Sequence, residues 1–259
     1  MNEPMLEAGR AETASSASGV AVTARALTRR FGNHLALERI DLQIAPRARF
    51  SLLGANGAGK TTFIRMLTGF LLPSSGQLTV DGVSPARHPH AVNKRIGFAM
   101  ETARLYPELR VRALLRFLGG ARGQRGSALE NAVDRVIDCF QLESVATRRT
   151  RNLSKGFERL VSLAQAFLVK PPLIVLDEPT EGLDPAQRNQ VRDILRGIET
   201  EQTLILCTHD LDEARALTDR AGVLNAGRLI AEGPTEEVLD RPDALSLFHT
   251  GRDAKGANS

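Results

Sequence analysis

Two short runs, "LIVL" at 173–176 and "LILC" at 204–207, are apolar at every position, as expected of parallel strands buried on both faces. Upstream, from Val20 to Val80, the segments "VAVTARAL", "IDLQIAP", "RFSLLG" and "GQLTVDG" alternate or carry β-branched residues between turn signals, and read as strands. Within them Phe63, Met66, Leu67, Phe70 and Leu71 recur at helical spacing until Pro73, which predicts one helix. Helical patterns lie between and after the two apolar runs, so the chain reads as an α/β core with a parallel sheet. The middle, from about Thr102 to Arg151, has no strand run and reads as a helical insertion, with "GGARGQRGS" as the break between two helices. After about Pro234 the pattern leaves a short helix and the polar tail "GRDAKGANS", with no second domain expected.

The length, 259 residues, suits one large domain or two small ones, and 42% hydrophobic with 25% charged residues is ordinary for a globular chain. A net charge of +4, no Trp and a single Tyr give no argument for a nucleic-acid partner. The cluster "RRTR" at 148–151 reads as a solvated loop. Cys139 and Cys207 both read as buried thiols in a reducing compartment. The first 19 residues are small and polar, expected to be a disordered tail without a secretory signal. No stretch reaches the ~18 apolar residues of a membrane-spanning helix, so any membrane work is expected to fall to another chain.

The run "SLLGANGAGKTTFIRML" carries chemistry. Gly54, Gly59, Lys60 and Thr61 fall in the G-x-x-x-x-G-K-[ST] arrangement, after an apolar strand and at the start of the helix. Gly54, Gly57 and Gly59 let successive N–H groups turn toward phosphate oxygens, and the helix N-terminus adds partial positive charge. Lys60 is expected at the β- and γ-phosphates, and the Thr61 hydroxyl on Mg²⁺. Asn56, Ala58 and Thr62 complete the loop. The loop predicts a nucleoside triphosphate site without separating kinases, GTPases, helicases and transport ATPases.

"LIVLDEP" places Asp177 and Glu178 at the carboxyl end of a buried strand, where ligands of such sheets bind. Asp177 is expected to hold Mg²⁺ and Glu178 to polarise the attacking water. His209, just past "LILC", is expected near the γ-phosphate, although a histidine at a strand end also serves as a structural hydrogen bonder.

Together with "LSKG" at 153–156, the amphipathic row Phe157, Leu160, Val161, Ala164, Phe167 and Leu168, and "EGLDP" at 181–185, these pieces resemble the nucleotide-binding domain of ATP-binding cassette (ABC) proteins. As an isolated tetrapeptide "LSKG" would be only an N-cap serine before an apolar helix. The resemblance implies a P-loop NTPase fold: a parallel-sheet core (20–100 and 155–238), an antiparallel β subdomain, and a helical insertion (101–154). A short C-terminal helix and tail (239–259) would complete the chain. It implies ATP hydrolysis with Mg²⁺ by two such domains packed head to tail, each offering Ser154 and Gly156 to the ATP held by the other, with Gly182, Leu183 and Asp184 bridging them. It implies Phe31 against adenine, a place an ordinary core Phe fills equally well. It further implies a homodimer or a related cassette, a separate transmembrane permease, and a cytoplasmic position on the inner face of the cell membrane. The hinge-like stretch "RIGFAMETARLYPELRV" would touch that permease.

Three positions depart from the family pattern. Glu101 stands where glutamine is usual and would add a third acid at the metal, predicting slower or more pH-dependent turnover. Lys155 and Phe157 replace the signature's second glycine and terminal glutamine, and Glu181 replaces a small polar residue, taken as tolerated variation. "LSKG", "RLYPELRV" and the expected lack of a regulatory C-terminal domain resemble exporter ATPases that handle drugs, lipids or polysaccharides. A rival class acts on ribosomes or nucleic acid, with two cassettes or a long coiled-coil insertion; neither pattern is present here. A P-loop kinase or GTPase leaves "LSKG" and "EGLDP" unexplained.

Overall fold

The computed structural model describes residues 19–102, 105–198 and 201–241. The expected N-terminal tail up to residue 18 and the polar tail from residue 242 lie outside the described residues.

Strands β1 (Val22–Phe31), β2 (His34–Ile44) and β4 (Ser75–Val80) form an antiparallel sheet in the order β2-β1-β4. The larger sheet has the order β5-β6-β7-β3-β8-β9: β3 (Arg49–Leu53), β5 (Ile96–Ala99), β6 (Leu173–Asp177), β7 (Thr203–Thr208), β8 (Arg220–Asn225) and β9 (Arg228–Pro234). Its pairs are parallel except β8 with β9. Every residue of β6 and β7 is buried, which is why "LIVL" and "LILC" carry no polar alternation. The fold is therefore the expected one, a parallel core with an antiparallel β subdomain and helices.

Register places the chemistry. Asp177 pairs with Cys207, Leu53 with Thr208 and Ala99 with Leu176, so four neighbouring strands end at one level. The loop at 54–59, Glu178, His209 and Met100–Glu101 leave the ends of those strands, and all open on one edge of the sheet.

The helix predicted to run to Leu71 is α1 (Lys60–Leu67), and Phe70 is 76% exposed. Thr68 ends it by returning its hydroxyl to the Ile64 carbonyl (2.9 Å), and Gly69 turns left-handed (φ 74°). The glycine break is shorter than read. Gly119 and Gly120 belong to α3 (Val111–Ala121), and α4 (Gly126–Cys139) begins at Gly126. A Cβ on Gly119 would lie 2.6 Å from Leu129 Cδ1, so glycine there lets α3 and α4 approach. Strands β5, β8 and β9, α2 (Pro89–Asn93) and the first half of β2 carry no element expected from the pattern.

Helix α5 (Lys155–Phe167) packs between the inserted helices and β5–β6, and α6 (Pro185–Gly197) and α7 (Leu211–Leu217) complete that side. After β9 comes α8 (Thr235–Leu239), its Val238 and Leu239 buried against β8 and β9; the short C-terminal helix expected within 239–259 lies, past residue 241, outside the described residues. Cys207 is buried as expected, but Cys139 is exposed. It lies off the stripe of Val133, Val136 and Ile137 that α4 turns inward. In "RRTR" the arginines are exposed, Arg149 and Arg151 pairing with Glu108, but Thr150 is buried and donates its hydroxyl to the Tyr106 carbonyl (2.5 Å), so the run is only partly the solvated loop expected.

Candidate nucleotide site

The loop between β3 and α1 is shaped by its glycines. Gly57 and Gly59 have φ of 86° and 114°, conformations a side chain resists. A Cβ on Gly59 would also lie 2.7 Å from both the Ala36 carbonyl and Leu37 Cδ2. Over this loop lies a cleft of ≈ 250 Å³ lined by Phe31, Asn56, Gly57, Gly59, Lys60, Thr61, Thr62, Glu101, Asp177 and Glu178, among others. Most residues expected at the phosphates and metal are thus neighbours in one concavity. Gly54 and Ala58 are buried beneath it.

Lys60 is buried, and its ammonium donates to the Gly54 carbonyl (2.6 Å) and meets Glu178 Oε1 at 3.1 Å. Glu178 is buried too, with a left-handed backbone (φ 47°) that costs a non-glycine residue on the order of 1 kcal/mol. Its N–H is held by the Cys207 carbonyl (2.8 Å). Its Oε2 accepts from the His209 N–H (3.3 Å) and contacts His209 Nδ1 at 3.0 Å. Glu181 is more than tolerated variation, since its Oε2 stands 3.6 Å from His209 Nε2 and the imidazole lies between two carboxylates. Burial, then the charge of Glu178, push Asp177 up to about 6, while Lys60 pulls it back.

Phe31 is 43% exposed with the Arg29 guanidinium 4.4 Å from its ring centroid, so the ordinary core role is corrected. The turn Gly32–Asn33 between β1 and β2 holds it at the rim of the cleft.

Ser154, Gly156 and Asp184 are not brought to this cleft. Ser154 caps α5, its hydroxyl accepting from the Phe157 N–H (3.4 Å), and Asp184 caps α6 by accepting from Gln187 (2.9 Å). Gly156 packs on Gln187, whose side chain a Cβ would meet at 2.9 Å. Lys155 and Glu158 border a separate surface cleft of ≈ 320 Å³ with Glu101, Glu181 and Gly182.

Two residues escaped the sequence reading. Arg159 is buried, and its guanidinium donates to the backbone carbonyls of Met100, Glu101, Asp177, Glu178 and Pro179. Its signal was a charge on the inward arc of α5, one turn from Gly156 and from Leu163, both buried. Glu213 on α7 is 1% exposed with Oε1 unpartnered, and burial raises it to about 7 against the opposing pull of Thr208 and Thr180. Nothing in "THDLDEA" marks that acid as inward.

With this geometry in place, the comparisons are specific. The family model described as "ABC transporter" matches residues 37–181. The Nod factor export ATP-binding protein I of Cupriavidus metallidurans is 37% identical over 212 residues, 81% of this chain and 70% of that one. The daunorubicin resistance ATP-binding protein DrrA3 of Streptomyces coeruleorubidus is 38% identical over 224 residues, 84% of this chain and 69% of that one. Among solved structures, cbiO1 of Clostridium perfringens, part of the ABC transporter complex cbiONQ, matches with a TM-score of 0.77 and 26% identity, covering 86% of this chain and 92% of that one.

Proposed function

The chain belongs to the ABC transporter family as an ATP-binding, ATP-hydrolysing subunit, and from that premise we propose how its residues divide the work and what it works with. The observation that carries the reading is a split. Lys60, Asp177 and Glu178 converge on one cleft, while Ser154 and Gly156 of the same chain do not line it. A reaction centre needing both sets is completed by a second chain, identical or related.

In this reading the loop 54–62 and Lys60 bind the phosphates of ATP, with Phe31 against the base. Thr61, Asp177 and Glu101 offer the hard oxygen donors that suit Mg²⁺, and a desolvated Asp177 is a carboxylate that gains from a cation. Mg²⁺, when bound, offsets phosphate charge. Glu178 accepts the proton of the attacking water, and His209, fixed through its N–H to Glu178, steadies that carboxylate near the γ-phosphate. Ser154 and the N-terminus of α5 meet the ATP of the facing chain, with Asp184 at the loop between them. The division into tail, core and helical insertion obeys the same scheme.

We propose export as the direction, because the two relatives are named for export and drug resistance. No helix among the described residues is long and apolar enough to cross a membrane, which supports a separate permease. Exposed Met100, Tyr106 and Phe117, the last two packed edge to face at 5.6 Å, offer it an apolar surface beside the Glu101 hinge. In this reading the chain sits on the cytoplasmic face of the membrane, held by that permease. The test is ATPase rate per molecule across a dilution series. A rate that falls as dimers dissociate is expected; a constant rate down to strictly monomeric protein overturns the shared site.

A further inference from the structure

Arg159 reaches two segments that no other side chain joins among the described hydrogen bonds. It lies one turn into α5, behind Ser154 and Gly156, and is 4% exposed. Its Nη1 donates to Met100 and to Glu101 (2.8 Å), after β5. Its Nη2 donates to Asp177 (2.8 Å) and Glu178 (2.5 Å), and Nε to Pro179 (2.6 Å), after β6. Every acceptor is a backbone oxygen, so the hydrogen bonds set main-chain position, while the charge also acts on Asp177, Glu101, Glu178 and Glu213 nearby. One acceptor belongs to Glu178, whose left-handed backbone persists only where its surroundings over-determine it.

We propose that Arg159 is a positioning residue that ties the signature helix, offered to the facing chain's ATP, to this chain's own acid turn and to the hinge segment. The inference rests on the two-chain reading of the site. A guanidinium suits the task because its donors form a rigid planar fork, with Nη1 serving one segment while Nη2 and Nε serve the other. A small displacement of α5, when Ser154 meets the facing nucleotide, is carried to the carbonyls of Asp177 and Glu178 and to those of Met100 and Glu101. Each site then reports its occupancy to the other and to the membrane-facing surface. Misplacing reacting groups by about 1 Å is enough to change rates on the order of 10²-fold.

Arg159→Lys tests this, since it keeps the charge but gathers its donors on one atom. Arg159→Gln keeps fewer donors and no charge. Leu160→Ala is the control that loosens the same helix through packing alone. For each, thermal midpoint, ATP affinity, kcat and the Hill coefficient for ATP are measured at fixed protein concentration. Both Arg159 variants are expected to bind ATP within about 2-fold of wild type, while kcat falls about 10- to 100-fold and the Hill coefficient drops toward about one. Leu160→Ala should lose stability and keep cooperativity. If Arg159→Lys folds with kcat and Hill coefficient intact, or if ATP affinity collapses in step with kcat, the inference is overturned. A wild-type rate per molecule that ignores protein concentration instead sinks the two-chain reading beneath it.

Discussion

Lys60 Nζ lies 3.1 Å from Glu178 Oε1, and the two side chains keep only 6% and 8% of their exposure. The cation expected at the phosphates and the carboxylate expected at the attacking water are ion-paired to each other. A bound γ-phosphate therefore competes with Glu178 for the ammonium, and its arrival frees the carboxylate for the water.

Glu178→Gln removes that competition along with the base. ATP is expected to bind several-fold more tightly, while hydrolysis falls about 10²- to 10⁴-fold, the range of a lost general base. Equilibrium titration beside single-turnover kinetics reads both. Weaker binding, or a rate near wild type, would remove Glu178 from both roles.

Gly59→Ala attacks the same loop through the backbone. The residue sits at φ 114°, and the added methyl would lie 2.7 Å from the Ala36 carbonyl, which cannot swing aside as a side chain can. The expected cost is about 1–3 kcal/mol, with ATP binding lost well before the protein unfolds at room temperature. A variant that binds ATP normally would show that the loop tolerates another path.

Much of this site was written in order along the chain. The phosphate loop, the acids and the histidine each come after an apolar strand, and a parallel sheet brings strand ends together without further instruction. What stayed hidden depends on how distant elements pack. Arg159 is inward only because α5 lies against β5 and β6, and its partners are backbone oxygens 18 to 59 residues away. Phe70 kept the helical spacing yet faces out, because Thr68 and Gly69 end α1 before the pattern does. Cys139 looked apolar by type, but its place on the turn of α4 points it to water.

Glu213 predicts a signature in stability rather than in rate. Its carboxyl is raised from 4.5 to about 7, mainly by burial, so between those values the folded chain holds a proton that the unfolded chain has released. Stability must then fall as pH climbs through that window and level off above it. In Glu213→Gln the amide cannot ionise, and the difference between wild type and variant should shift by about 1–3 kcal/mol in the variant's favour from pH 4.5 to 8. Denaturant midpoints across that range measure it. Parallel curves would mean the acid is ionised in place.

Glu101→Gln tests whether the third acid matters. Glu101 lines the cleft beside Asp177, and its charge adds to burial and Glu178 in raising Asp177 to about 6, against the pull of Lys60 and Arg159. Asp177 must be ionised to offer a metal its oxygens, so activity should fade as pH drops through that value. Glutamine removes one of the charges that raise Asp177, so the acid limb of the ATPase profile should move to lower pH. The rate near neutrality should rise severalfold, as repulsion of the phosphates eases. The backbone carbonyl of Glu101, held by Arg159 at 2.8 Å, is untouched by the change, so folding and hinge geometry should hold. A pH profile and a rate that both match wild type would mean the Glu101 charge is screened from the metal, and that its departure from the family pattern is silent.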